Sequence, residues 1–349
     1  MRAYKIFILL MTLFCCSCHD EASYGRHDNT EQSKKSNYQI GNNNEQSNHT
    51  NYGYNIVVVA DLSNRIMNNR LYDDPQILEL ITSKLKNLFQ KSADVGINGK
   101  FFFTTVNSLD LTRFPHNDSI FKIDLTRFKT NVTLRSDYLH HNTGSNSLQH
   151  DISVFNSEFK KIYTDLKRER QLPADMWYFL KDKLTYPIID TSSSSFLYKE
   201  ATIKNKYKNY IIILTDGYIE AGRYGDNKDM KEDNKLRFLS EASINTFRNE
   251  FKSSKLRSVE DFFTRNNNGI IPVKNCFLED CKLLVLELFD RSVKNGVNTQ
   301  TPTDFDIMNL FWNDWLLNSN VSTGNLFIYP TFTNKQDLDQ VISKFLDIQ

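Results

Sequence analysis

Three short segments limit what this chain can fold into more than anything else in it. They read "NIVVVAD" (55–61), "NYIIILTDG" (209–217) and "CKLLVLELFD" (281–290). Continuous apolar runs of this length mark strands buried on both faces, as in a parallel sheet covered by helices on each side. The segments between them carry helical periodicity. In "DPQILELITSKLKNLFQKS" (74–92), Ile77, Leu80, Ile81, Leu85 and Leu88 recur at helical spacing, and Pro75 falls in the first turn. Helices are also expected over 154–171, 174–184, 233–253, 303–320 (opened by Thr303) and 334–349 (capped by Asn334). Further strands are expected over 99–108, 121–126 and 324–332. This alternation predicts an α/β fold, a doubly wound, mostly parallel sheet flanked by helices.

The N-terminus has its own character. "MRAYKIFILLMTLFCCSC" places Arg2 and Lys5 before an apolar run from Ile6 to Phe14, then small residues and Cys. That run is too short to span a bilayer, which takes about 20 residues. It has the form of a secretory signal. With Ser17 before Cys18 it resembles a bacterial lipoprotein signal, which implies that Cys18 becomes the lipidated N-terminus and membrane anchor in the cell envelope. Asp20-Glu21 is similar to surface-export signals of some Gram-negative lipoproteins. Residues 19–54 are rich in Asn, Ser, Gln and Lys, and read as a tether to a domain over 55–349. Insertions at 126–153 and 218–275 are expected to shape that domain's surface.

The strands end on oxygen-bearing turns. The first runs into Asp61-Leu62-Ser63-Asn64-Arg65, and the later one into Thr215-Asp216-Gly217. In a doubly wound sheet ligands bind outside the carboxyl ends of the strands, where the strand order reverses. Adjacent first and later strands would bring Asp61, Ser63 and Asp216 together, and Gly217 would permit a sharp turn with φ > 0. Such hard oxygen donors suit Mg²⁺, Ca²⁺ or Mn²⁺.

Strand plus D-x-S-x-S, then a Thr, then strand plus T-D-G, is the pattern of von Willebrand factor A-type domains, and "VVVADLSNR" with "IIILTDG" resembles it. The resemblance implies a Rossmann-like sheet with a metal-ion-dependent adhesion site that recognises a macromolecular partner. Asp61 and Ser63 match the first two ligand positions and Asp216 the T-D-G acid; Thr191, before "SSSSFLY", is nominated for the Thr position. Arg65 stands where the family has a second Ser. A guanidinium has no acceptor atom and repels a divalent ion. Turned inward, it would pair with Asp61 or Asp216 and leave a metal-free site. Turned outward, it would leave Asp61, Ser63, Asp216 and waters able to hold a weak Mg²⁺; without metal, Arg65 itself could grip a partner carboxylate beside Asn64 and Thr215.

Other chemistries find little support. Lys and Arg number 43 against 42 Asp and Glu, a net charge of +1, so no global field draws the chain to nucleic acid. No G-x-G-x-x-G follows the first strand, and no P-loop or G-x-S-x-G elbow is present. His140-His141 reads as a solvated pair, and Trp312 and Trp315 as core and rim. Cys276 and Cys281 could close a small disulfide loop or remain unpaired thiols. The expected activity is partner binding at the rim rather than catalysis. A metal-assisted hydrolase using the same carboxylates and a degenerate structural subunit of an envelope complex are the competing expectations.

Overall fold

The computed structural model describes residues 48–68, 70–106, 121–141, 144–168, 174–198, 201–219, 235–294 and 296–348. The expected signal segment with Cys18, the expected tether as far as residue 47, and residues 220–234 of the second expected insertion lie outside the described residues.

Among the described residues the main sheet has seven strands. Its spine runs β3 (Lys122–Asp124), β2 (Lys100–Thr105), β1 (Asn48–Ala60), β5 (Ala201–Leu214), β6 (Cys281–Leu288) and β9 (Leu326–Pro330), with β4 (Ser193–Tyr198) paired to β5 off that path. β2, β1, β5, β6 and β9 are mutually parallel; β3 is antiparallel to β2 and β4 to β5. A two-stranded ribbon, β7 (Val293–Lys294) with β8 (Val297–Asn298), follows β6. The fold is therefore α/β with a mostly parallel mixed sheet.

Strand alternation sorts the core into two layers. Ile56, Val58 and Ala60 of β1 and Tyr210, Ile212 and Leu214 of β5 face one side. There they meet helices α1 (Asp74–Ser83), α2 (Leu85–Asp94), α3 (Val132–His140), α4 (Leu148–Leu166) and α8 (Lys335–Phe345). Val57, Val59, Ile211 and Ile213 face the other side. That layer holds the turn at Met176–Tyr178 and helices α5 (Glu241–Ser253), α6 (Val259–Arg265) and α7 (Asp304–Asn318). The apolar runs read as doubly buried strands because side chains of both parities are fully covered.

Local chemistry sets the helix ends. Asp73 and Gln76 form a reciprocal capping box before α1, with Pro75 in its first turn, and Thr303 with Asp306 does the same for α7. Asn334 caps α8 as expected. The helix expected over 74–92 is two helices meeting at Lys84. Just before that break the Thr82 and Ser83 hydroxyls bond back to the Leu78 and Leu80 carbonyls, a pattern that bends helices. The expected insertion over 126–153 contains α3 and the start of α4, and its Tyr138, Leu139 and Leu148 enter the core.

Two strand boundaries depart from expectation. β1 begins at Asn48, not 55, because Asn48–Tyr54 pair in register with Thr202–Lys208 of β5. The Ser-rich stretch before residue 200 forms β4, a hairpin partner of β5. Neither stretch carries the continuous apolar run of a doubly buried strand: NHTNYGY is polar and aromatic, and in SSSFLY Phe196 and Leu197 are exposed. Cys276 and Cys281 are free thiols. Cys281 is buried in the second core layer, with Sγ 2.8 Å from the Phe277 carbonyl oxygen, whereas Cys276 opens a 3₁₀ turn at the surface. Burial pushes the Cys281 thiol pKa well above its ordinary value.

Candidate functional site

β1 and β5 are neighbours, and they are the point at which the strand order reverses. Their carboxyl ends lie side by side. The Asp61 amide donates to the Leu214 carbonyl at 2.9 Å, and the Thr215 amide to Leu286 at 3.1 Å. The turns 61–65 and 215–217 therefore converge on one rim, 154 positions apart in sequence between Asp61 and Thr215.

Asp61 is 4% exposed, and its carboxylate is already engaged. Oδ1 accepts the Ser63 amide at 2.9 Å, and Oδ2 accepts the Thr215 hydroxyl at 3.2 Å. Asp216 is 7% exposed, with Oδ1 accepting the Tyr218 amide at 3.3 Å. Burial and then the Asp61 charge push the Asp216 carboxyl up to about 6. Gly217 follows with φ +87°, where a Cβ would come within 2.8 Å of Leu288 and 2.9 Å of Met308. The Trp312 indole fixes this turn by donating to the Gly217 carbonyl at 2.9 Å.

Arg65 decides the character of the site. It sits in a 3₁₀ turn (Asn64–Met67) with its side chain fully buried. Nε donates to the Asp61 carbonyl and lies 3.9 Å from Asp61 Oδ2; Nη2 donates to Asp74 Oδ2 at 2.6 Å. Arg70 lies alongside, donating to Asp74 Oδ1 at 3.3 Å and to the Tyr163 hydroxyl at 3.2 Å, 3.7 Å from Glu287 Oε2. Two guanidinium groups thus lie among Asp61, Asp74, Asp216 and Glu287.

Glu287 enters this cluster through a β-bulge. The β6–β9 register shifts between Val285 and Leu288, and Glu287 has φ +76°, a left-handed backbone that costs a side-chain-bearing residue of order 1–3 kcal/mol. The bulge returns Leu288 to the second core layer and turns Glu287 toward Arg70. Its Oε1 has no hydrogen-bond partner among the described residues; Arg65 Nη1 and Arg70 Nε are likewise unpartnered. Burial raises the Glu287 carboxyl to about 7, against the opposing pull of Arg70.

A divalent cation at this rim would meet the repulsion of a resident guanidinium. A buried guanidinium stands beside Asp61, and both Asp61 oxygens already accept protein donors. Among the described residues no group of three or more His, Cys, Asp or Glu is arranged to hold a metal ion. Thr191 is not brought to this rim. The preceding Asp190 amide bonds Asn209 Oδ1, at the start of the buried part of β5, so Thr191 lies at the opposite end of the sheet. Its displacement follows from β4, whose pairing with Ala201–Lys206 holds the loop before it at that end.

The expected partner-contacting residues divide. Asn64 is exposed. Arg65 and Thr215 are buried and turned inward, so neither presents its side chain to a partner. Instead Met67 and Leu71, on the same loop, are 61% and 60% exposed, and Val297 in the ribbon after β6 is 65% exposed. Arg70, Asp74 and Glu287 escaped the sequence reading. The lone acid in "LLVLELF" was a visible signal for Glu287, whereas Asp74 reads as an ordinary first-turn helix acid.

Comparison with family models, with curated proteins and with solved structures gives no match.

Proposed function

We propose that this chain is a lipid-anchored, extracytoplasmic binding or assembly module whose domain is von Willebrand factor A-like, and that its carboxyl-end rim docks a protein partner without a metal ion. Setting the β4 hairpin aside, the strands run third, second, first, fourth, fifth, sixth across the sheet, the order of doubly wound nucleotide-fold sheets. The antiparallel edge strand β3 and the two aspartates at the reversal support the A-type reading. Arg65 then acts as an internal counter-ion. It supplies fixed positive charge beside Asp61 and Asp74, and the rim keeps its shape without a divalent ion.

The observation that carries the binding reading is the exposure of Met67 and Leu71 on the same loop as the buried Arg65 and Arg70 side chains. Apolar side chains on a loop that is pinned beneath by ion pairs form a preorganised contact surface. A photo-crosslinking residue at Met67, introduced into the full chain in its native host, is expected to give one discrete protein adduct. The same residue at Val132, on α3, is expected to give none. Equal labelling from both positions, or none from Met67, would defeat the proposal.

A further inference from the structure

The opposite end of the sheet has a different chemistry. Below the helices, β1 and β5 extend beyond their neighbours, and β5 presents Lys204, Lys206 and Lys208 at every second position. Such spacing puts all three on one face, about 6.8 Å apart. All three are exposed, and Lys204 and Lys206 make no ion pair among the described residues. On the same face, Lys208 and Lys282 share one acid, Asp347, at 3.6 and 2.8 Å. Hydrogen bonds from Lys282 and from Tyr210 hold the Asp347 carboxyl below its ordinary value in spite of partial burial, so this acid is already satisfied. Lys91 adds another cation, donating to the Asp347 carbonyl at 3.3 Å.

This lysine face borders a groove of about 540 Å³ where β6 and β9 begin. Apolar groups stand exposed at the same end: Tyr52 (43%), Phe196 (47%) and Leu197 (66%). Asp190, paired with Lys100, and Asp280 also line this groove, so on β5 the cations with no ion pair among the described residues are Lys204 and Lys206.

We infer that this lysine-bearing end docks on an anionic membrane surface, reading phosphate headgroups with Lys204, Lys206 and Lys208 and seating Tyr52 and Leu197 at the interface. The inference rests on the proposed lipid-anchored reading. β1 starts at this end with Asn48, so the chain leading back to Cys18, thirty residues earlier, enters here. A connection of that length reaches at most about 100 Å and does not by itself orient the domain. A basic face with interfacial aromatic and aliphatic side chains does. Lysines in solvent, with no buried unpaired donor behind them among the described residues, suit a diffuse array of headgroups better than a single small anion. In this orientation the partner-binding rim points away from the membrane.

Vesicle co-sedimentation tests this with the full chain carrying Cys18→Ser, so that no lipid is attached. Vesicles of phosphatidylcholine with phosphatidylglycerol are expected to bind about tenfold more tightly than phosphatidylcholine alone, and added salt is expected to erase the difference. Lys204→Glu with Lys206→Glu is expected to remove that preference. Lys160→Glu with Lys161→Glu, the same charge change on exposed α4, is expected to keep it. Circular dichroism melts of both double variants report whether each is folded. Equal binding to both vesicle types, equal binding by a folded Lys204→Glu/Lys206→Glu chain, or displacement by inorganic phosphate at matched ionic strength would overturn the inference; the last would mean a free-anion site. The lipid-anchor reading is scored separately, by mass spectrometry of the modification at Cys18, and the rim reading by the Met67 crosslink.

Discussion

At the carboxyl ends of the strands, Asp61, Asp74, Asp216 and Glu287 are buried against Arg65 and Arg70, and apolar Met67 and Leu71 stand outside them. At the amino ends, Lys204 and Lys206 stand in solvent with no ion pair among the described residues, and Asp347, on the same groove as Lys206, is shared by two other lysines. Charge in the first region is structural. It is removed from water, and each group depends on its neighbours for solvation. Charge in the second region is free to meet a ligand and contributes little to stability. The two ends of one sheet thus divide holding a shape from presenting a charge, and substitutions at each should behave accordingly.

The largest expected effect comes from Asp74, which accepts both Arg65 and Arg70. Asp74→Ala leaves two buried guanidinium groups without their main acceptor and is expected to cost about 3–5 kcal/mol in urea unfolding. Lys206→Ala, by contrast, should change stability by less than about 0.5 kcal/mol. Similar losses from both would erase the distinction between the two ends.

The next effect is on pH dependence. The folded-state values of Glu287 and Asp216 are raised, to about 7 and about 6. A raised folded value means the native state holds its proton longer than the unfolded chain. The stability that these groups contribute is complete below the unfolded carboxylate range near pH 4 and is lost as pH climbs through 6 to 7. At about 1.4 kcal/mol for each pH unit between the two values, Glu287 alone accounts for a few kcal/mol. Glu287→Gln should therefore flatten the decline of stability between roughly pH 5 and pH 7. An unchanged slope in denaturant midpoints would place Glu287 in a wetter setting than its burial indicates.

Gly217→Ala is expected to cost about 1–3 kcal/mol, because a side chain there meets Leu288 and Met308 in a left-handed backbone. Smallest in stability is Met67→Asp, expected to fall within about 0.5 kcal/mol of the parent. Met67→Asp in a chain carrying the photo-crosslinker at Leu71 should nonetheless abolish the adduct formed from that position. A loss of stability together with the adduct would mean that Met67 is part of the core rather than the contact surface.

How much of this was legible in the sequence depended on the kind of signal. The runs 55–61, 209–217 and 281–290 announced buried parallel strands, and chain order alone implied that the turns after the first two would meet. Gly217 was readable because T-D-G after a buried strand calls for a left-handed turn. The direction of Arg65 was not readable. It is set by Asp74, the first residue of a helix nine positions later, and nothing local to "DLSNR" distinguishes inward from outward. The place of Thr191 was not readable because β4, three serines followed by an exposed Phe196-Leu197, shows no apolar alternation to mark it as a partner of β5. The polar start of β1 was hidden for the same reason, and with it the lysine face that β5 completes.

Calorimetric melting of the chelator-treated full chain, alone and with Mg²⁺, Ca²⁺ or Mn²⁺, tests the central claim most directly. With Arg65 as the resident cation of the rim, the melting temperature is expected to be the same in every case. A saturable rise with any of the three ions, abolished by Asp216→Ala, would show by linkage that a metal occupies the site after all.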